Sequence, residues 1–336
     1  MIEPSPDPTL FTAIFEREAL KLVKSYDFSD DVAVRLLSHS ENTVLLIEDL
    51  GRAEKYVLRI HSHRLDYHRE DMIASEVAWI RALRRQSPIE THDPVADREG
   101  RFVQILDSPE LDRPRCAVIF TFLEGVEPDP ECLSEGFVRL GGVTAHMHRQ
   151  VRNWTLPPGF TRPTWSPDEI FANCNGFGPW QDAMGMDREA LACLTRMVEV
   201  IGRRLSALGR DPLYFGLTHA DFRLANTLIE GDSTKVIDYD DCGFSWFTYD
   251  LATALSFIQE RPDMPELIEA WLEGYRAVAE MPAALEAEIA SVIMLRRVAE
   301  LAWLASRRYS EFSRKTEPGF TANSCRLAED YLKAFG

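Results

Sequence analysis

The sequence predicts an α+β fold of two lobes, a small antiparallel β-rich N-terminal part and a larger helical C-terminal part. Three observations carry this. Short β-branched and apolar runs bounded by turn residues crowd residues 32–60 and return over 101–122. Beyond the segment Leu123-Glu124-Gly125 the apolar residues recur mostly at helical spacing. The length, 336 residues, exceeds what one average core holds. The expected division is a β-rich domain over 1–122 and a helical domain over 123–336, joined near 121–126. A cleft between two such parts is a natural ligand site.

The elements follow in order. Leu10, Phe11, Ile14, Phe15, Leu20, Leu22 and Val23 mark a first helix over 10–25. Val32–Leu37, Thr43–Glu48 and Lys55–Ile60 read as three strands of a meander, turned at Ser38–Asn42 and Asp49–Arg52. Ile73, Val77, Ile80 and Leu83 define a helix over 70–85. Arg101–Leu106 and Cys116–Phe122 add two strands. Helices are expected near 131–151, 187–208, 248–260, 264–279, 283–309 and 320–335. One β segment interrupts them, a hairpin over 227–237 turning at Gly231-Asp232.

Composition narrows the function. There are 37 Lys+Arg against 54 Asp+Glu, a formal net charge of −17. That balance argues against nucleic-acid binding, which needs a basic stripe to neutralise phosphates. No apolar run approaches the ~18 residues of a membrane span, so no membrane partner is expected. The start, Met1-Ile2-Glu3-Pro4-Ser5-Pro6-Asp7-Pro8, lacks the basic residues and apolar run of a secretory signal. The six cysteines are scattered without a C-x-x-C pair, which suggests buried free thiols in a reducing cytoplasm and no structural zinc.

The chemistry concentrates in Leu217-Thr218-His219-Ala220-Asp221-Phe222-Arg223-Leu224-Ala225-Asn226, the hairpin after it, and Ile237-Asp238-Tyr239-Asp240-Asp241. The pattern is H-x-D-x-x-x-x-N, a hairpin, then I-D-x-D-D. Phosphoryl transfer from ATP to a hydroxyl needs a carboxylate to orient the hydroxyl and take its proton, and oxygen ligands to hold Mg²⁺ on the triphosphate. Asp221 suits the first role, Asn226 and Asp238 the second. Taken singly, H-x-D is a common triplet, Asn226 a turn residue and Asp240-Asp241 a solvated loop. Only their joint placement around one hairpin points to a site. His219 reads as a structural partner in the loop rather than as the base.

The segment resembles the catalytic and metal loops of the aminoglycoside phosphotransferase superfamily, which is itself similar to eukaryotic protein kinases and includes choline kinases, type II homoserine kinases and a bacterial stress-response Ser/Thr kinase. Tyr249-Asp250-Leu251-Ala252 resembles the Y-D-L-A that follows the metal loop in that family, and Leu140–His148 resembles its helix leading to the catalytic lobe. The likeness spans most of 32–260. It implies a protein-kinase-like fold, with Asp221 as catalytic base and Asn226 and Asp238 as Mg²⁺ ligands.

The same architecture needs a cation on the third strand for the α/β-phosphates and a Glu on the next helix to hold it. Arg59 stands where Lys is commoner, a planar fork in place of a point charge. Glu76 lies on the apolar stripe of its helix and needs a partner; Arg59 is the best candidate. By the same resemblance, the turn containing Ser40 and Asn42 covers the phosphates, although it has no glycine. Phe120-Thr121-Phe122-Leu123 forms the hinge against adenine.

His146 and His148 lie two apart on a helix and point in different directions, a poor metal pair; one is expected to be packed and the other exposed. His61 and His63 read as surface polarity. Asp240 and Asp241 add negative charge beside the metal loop and suit an ammonium on the acceptor. The many aromatic residues of the C-terminal part read mostly as core, and residues 157–180 as an irregular segment that shapes the acceptor site. The expected activity is an ATP-dependent kinase of a small-molecule hydroxyl, on an amino alcohol, amino acid or aminoglycoside. The alternatives are a Ser/Thr protein kinase of the stress-response type and a low-turnover nucleotide-binding regulator.

Overall fold

The computed structural model describes residues 8–62, 67–111 and 113–336, with side chains from Thr12 onward. The N-terminal segment before Pro8 and His63 lie outside the described residues; His61, expected at the surface, is instead buried at the end of the third strand. The chain forms two compact units. One takes residues up to Arg84, Thr91–Glu124 and Pro157–Thr161; the other takes Arg85–Glu90, Gly125–Leu156 and Arg162–Gly336.

In the first unit, helix α1 (Pro8–Leu22) precedes strands β1 (Val32–His39), β2 (Thr43–Asp49) and β3 (Glu54–Ile60). Helix α2 (Glu70–Gln86), the two-residue strand β4 (Glu90–Thr91), where the chain passes between the units, and the strands β5 (Pro94–Val95), β6 (Val103–Leu106) and β7 (Arg115–Thr121) follow. The sheet runs β1-β2-β3-β7-β5, with β6 also on β7. All its pairings are antiparallel; Thr43 faces Ile60 across β2 and β3, and Arg59 faces Val118 across β3 and β7. Alternate strand residues turn inward, so Leu45, Ile47, Leu58, Ile60, Ala117 and Ile119 close a core with Phe15, Ala19 and Val23 of the first helix and the turn after it. The apolar stripe of α2 is buried as its spacing requires: Ile73, Val77, Ile80 and Leu83. Glu76 lies in the same buried face.

The second unit holds α3 (Leu133–Arg152), α4 (Pro167–Ala172), α5 (Arg188–Leu208), β8 (Phe215–Thr218), β9 (Thr227–Glu230), β10 (Ser233–Val236) and β11 (Gly243–Trp246). Helices α6 (Tyr249–Ala254), α7 (Met264–Arg276), α8 (Ala283–Glu286), α9 (Ile289–Ser306) and α10 (Glu311–Phe335) complete it. Helices α3 and α7 touch through glycines. A Cβ on Gly141 would lie 1.9 Å from the Trp271 carbonyl oxygen, and one on Gly274 would lie 1.9 Å from that of Val138. Only glycine permits so close a crossing. Helix α9 is buried on nearly every side, including the charged Arg296, Arg297 and Glu300.

Three helix limits differ from the sequence expectation. The helix expected over 248–260 ends at Ala254, and Phe257 three residues on has φ 65°. The one expected over 283–309 is split at Ala287-Glu288 into α8 and α9. The last begins earlier, at Glu311, and breaks at Pro318, which lacks an N–H, and Gly319, at φ 85°. The pairing of β8 with β11, two four-residue strands, was too short to stand out. Of the thiols expected to be buried, Cys132 is exposed and Cys116 and Cys325 are half-buried. Among the described residues, no helix is long and apolar enough to cross a membrane.

Candidate active site

The hairpin of β9 and β10 organises the site in the second unit. Val236 faces Thr227, and beyond that pair the Ile237 N–H donates to the Asn226 carbonyl at 3.1 Å. Asn226 and Asp238 therefore leave the same end of the hairpin. The turn at the other end is Gly231, at φ 59°.

Asp221 belongs to the loop between β8 and β9. The Asn226 side-chain amide donates to its carbonyl oxygen at 2.7 Å and to its Oδ2 at 2.9 Å. That commits the amide nitrogen and leaves Oδ1 of Asn226 accepting no hydrogen bond among the described residues. Asp238 is solvent-exposed and sits at φ 62°. An amide oxygen and an exposed carboxylate on one hairpin end are hard donors of the kind Mg²⁺ prefers, so this pair fits a divalent ion.

Two arginines meet the Asp221 carboxylate. Arg223 donates from Nε at 3.1 Å to Oδ1 and from Nη2 at 3.2 Å to Oδ2. Arg296 of α9 donates from Nη2 to Oδ1 at 3.0 Å. Burial alone would raise the Asp221 pKa, but these guanidiniums outweigh it, and the group titrates below the ordinary carboxylate range. Neither arginine was among the residues expected at the site from the sequence. Arg223, two residues past Asp221, was legible as a cation beside the loop; Arg296 lies 75 positions away and left no local signal.

The loop conformation is held from α6. Ala220 lies at φ 62°, unusual for a residue with a Cβ. The fully buried Asp250 accepts the Ala220 N–H on Oδ1 at 2.8 Å and the His219 N–H on Oδ2 at 3.3 Å. Thr253 Oγ1 accepts the Phe222 N–H at 3.1 Å. Asp250 also pairs with His148 Nε2 at 2.9 Å, and burial pushes the His148 pKa down despite that partner. His148 is thus packed, while His146 is half-buried beside Arg149. His219 is itself fully buried; its Nε2 meets the Ile237 carbonyl at 3.1 Å, tying this loop to the segment before Asp238. The Y-D-L-A segment is the sequence feature that contained Asp250, without showing what its carboxylate holds.

The segment 162–165 grips the chain after Asp238. Arg162, buried, donates to the carbonyls of Asp240 and, at 2.6 Å, Cys242. Trp165 Nε1 donates to the Asp241 carbonyl at 2.8 Å. A Cβ on Gly243 would come within 2.5 Å of the Pro163 carbonyl oxygen. Asp240 is buried and Asp241 half-buried, a more enclosed setting than a solvated mouth. Trp165, Trp246, Phe247, Tyr249, Trp271 and Tyr275 are core, as expected for most of the aromatics.

In the first unit, Arg59 and Glu76 are both buried and their side chains form an ion pair. The Arg59 guanidinium lies 5.2 Å from the centre of the Phe120 ring, against which His92 packs at 4.2 Å. Phe120 itself is only 2 % exposed, so its ring supports Arg59 rather than offering an open face. The Phe122 N–H donates to the Lys55 carbonyl at 3.2 Å, with Lys55 Nζ 5.4 Å above its ring. Ser40 is exposed in the turn between β1 and β2, its N–H on the Asn42 carbonyl at 3.0 Å. Asn42 is buried and accepts the Ser62 N–H on Oδ1 at 3.1 Å. The structure thus brings Asp221 and Asn226 into direct contact in the second unit, and Arg59, Glu76 and Phe120 together in the first.

A model of the phosphotransferase enzyme family matches residues 33–287. Amicoumacin kinase of Bacillus subtilis is 25% identical over 263 residues, 74% of this chain and 73% of its own. A microcompartment-associated aminopropanol kinase superimposes with a TM-score of 0.84 at 39% identity, over 95% of this chain and 98% of its own. An amicoumacin kinase solved in complex with AMP-PNP, Ca²⁺ and Ami gives 0.74 at 20% identity, over 96% and 95%, a likeness of fold. With the match covering most of its length, from the meander to α8, the chain belongs to the phosphotransferase enzyme family and is a kinase-like enzyme acting on small molecules.

Proposed function

We propose that this enzyme transfers the γ-phosphoryl group of ATP to the hydroxyl of a small amino alcohol of the 1-amino-2-propanol kind. The observation that carries the reading is the contact of Asp221 with the Asn226 amide at the hairpin end that also bears Asp238. The 39% identity to an aminopropanol kinase supports the choice of acceptor.

The Asp221 carboxylate accepts the acceptor's hydroxyl proton as the oxygen attacks the γ-phosphorus, and ADP leaves. Because Asp221 titrates low, it stays ionised at neutral pH and serves first to orient the hydroxyl; proton transfer completes late. Asn226 and Asp238 would hold the divalent ion, which supplies charge neutralisation of the phosphates. Arg59, steadied by Glu76, would hold the α/β-phosphates, with the turn of Ser40 and Asn42 beside them and the Phe120–Phe122 segment serving the adenine. Asp241, and Asp240 through its charge, would favour the ammonium of the acceptor. In this reading residues 1–122 serve the nucleotide and 123–336 the catalysis and the acceptor.

The test is ATP consumption against amino alcohols, homoserine, aminoglycosides and a generic protein substrate, beside Asp221→Ala. 1-Amino-2-propanol should give the highest kcat/KM. Asp221→Ala should bind MgATP normally and lose on the order of 10²-fold or more in turnover. Equal turnover would remove Asp221 from the reaction, and preference for the protein substrate would remove the amino alcohol.

A further inference from the structure

Asp221 is held by two arginines that are not equivalent. Arg223 is about a third exposed, and among the described residues all the hydrogen bonds of its side chain go to Asp221. Arg296 is enclosed, with 10% of its side chain exposed, and is fixed from several directions. Its Nε donates to Ser256 Oγ at 2.9 Å, its Nη1 lies 3.5 Å from the Ala220 carbonyl oxygen, and its Nη2 meets Asp221 Oδ1 at 3.0 Å. Glu300, one turn on along α9, stands 3.8 Å from Nε. Both Glu300 oxygens accept from the Gln259 amide, at 2.8 and 2.9 Å. The Gln259 oxygen accepts in turn from Arg297 at 3.0 Å.

A buried guanidinium is expensive unless its donors are met. Here they are met by a set with one rotamer-fixing geometry, and only one member of that set, Asp221, belongs to the reaction. We propose that Arg296 is a positioning residue for phosphoryl transfer: it holds Oδ1 of Asp221 in place, so that Oδ2, steadied by Asn226, is the oxygen presented to the acceptor hydroxyl. Arg223, partly exposed and held by one partner among the described residues, is the cation that yields when the acceptor enters.

This rests on the assignment of Asp221 above, and the test separates the two. Wild type, Arg296→Lys, Arg296→Gln, Arg296→Ala and Asp221→Ala are compared for transfer to 1-amino-2-propanol, for MgATP hydrolysis with water as acceptor, and for MgATP binding by calorimetry. Arg296→Gln should lower kcat about 30-fold or more, of the order that a misplacement of ~1 Å costs. The KM for acceptor and the Kd for MgATP should stay within about twofold. Arg296→Lys, which keeps one charged donor, should recover part of the loss. Added guanidinium at non-denaturing concentration should raise the turnover of Arg296→Ala and leave that of wild type unchanged.

A general structural role would instead lower binding and kcat together and show no rescue. Arg296→Gln within threefold of wild-type kcat, or Arg296→Ala insensitive to guanidinium, overturns the proposal even when Asp221→Ala is inactive. An active Asp221→Ala would overturn the assignment of Asp221 and this proposal with it. Should 1-amino-2-propanol fail as acceptor, that choice of substrate falls alone, and the hydrolytic turnover still reports on Arg296.

Discussion

Replacing Asp250 should disable the enzyme without touching any reacting group. Its two carboxylate oxygens receive the N–H groups of His219 and Ala220 and Nε2 of His148, all buried. Asp250→Asn keeps one acceptor oxygen and turns an NH₂ toward the other donors. A buried donor left without a partner costs about 1–3 kcal/mol, and at least one of the three is lost, so unfolding free energy should fall by roughly 2–3 kcal/mol. Activity should fall further than stability suggests. Ala220 is kept at φ 62°, which costs a non-glycine residue about 1–2 kcal/mol. With its N–H no longer anchored, that strain favours departure of the loop, and about 1.4 kcal/mol is tenfold in the competent population. The expected result is kcat lower by about 10- to 30-fold, with MgATP affinity much less affected. Urea denaturation and steady-state kinetics measure both quantities. Adding Ala220→Gly removes the Cβ penalty and should return several-fold of the lost kcat. Wild-type kcat in Asp250→Asn, or no gain in the double variant, would refute this account of the loop.

Further outcomes follow from other parts of the molecule. Asp238→Ala should abolish metal-dependent ATP binding, read by calorimetry with and without Mg²⁺; unchanged affinity with the ion would remove Asp238 from its coordination. Arg162→Met releases the carbonyls of Asp240 and Cys242 and should raise the Mg²⁺ concentration for half-maximal turnover about tenfold, since supports behind ligands commonly cost 10–100-fold. Gly141→Ala should destabilise strongly, because its Cβ would lie 1.9 Å from a backbone oxygen, whereas Gly202→Ala in α5 has nothing within 4 Å and should stabilise by up to ~1 kcal/mol. Asp97 accepts the N–H groups of Glu99 and Arg101 and the side chains of Arg101 and Gln104. Its burial opposes ionisation, but these donors prevail and hold its pKa at about 2, below the ordinary carboxylate range. A depressed pKa stabilises above the unfolded value, so this contribution should be complete above pH ~4 and vanish as pH falls toward 2. An acid-unfolding midpoint that Asp97→Asn leaves unmoved would contradict it.

Much of this was legible in the residues because the relevant signals were local. The meander appears at the expected strands because alternation and turn residues lie within a few positions of each other. The pair Arg59 and Glu76 could be inferred from one carboxylate on an apolar stripe and one cation on an apolar strand. Asp221, Asn226 and Asp238 could be grouped because one short hairpin separates them. What escaped was set by contacts distant in sequence. Arg296 reads as one cation in a long apolar helix, and nothing near it names Asp221 as its partner. Asp250 stood in a recognisable four-residue segment, but its three donors come from α3 and the loop before β9. Arg162 sat in a stretch that looked irregular, and its purpose appears only once the carbonyls it meets are known. The limits of helices failed where a backbone break, at Phe257 or at Pro318-Gly319, has tertiary causes or falls inside a periodic pattern.

The position of Arg296 along the chain has a further consequence. The match to the family model ends at residue 287, yet a side chain nine residues later reaches the carboxylate of Asp221. Trimming the protein to the part the family model recognises would therefore remove this contact together with α9, whose residues are buried on nearly every side of the second unit.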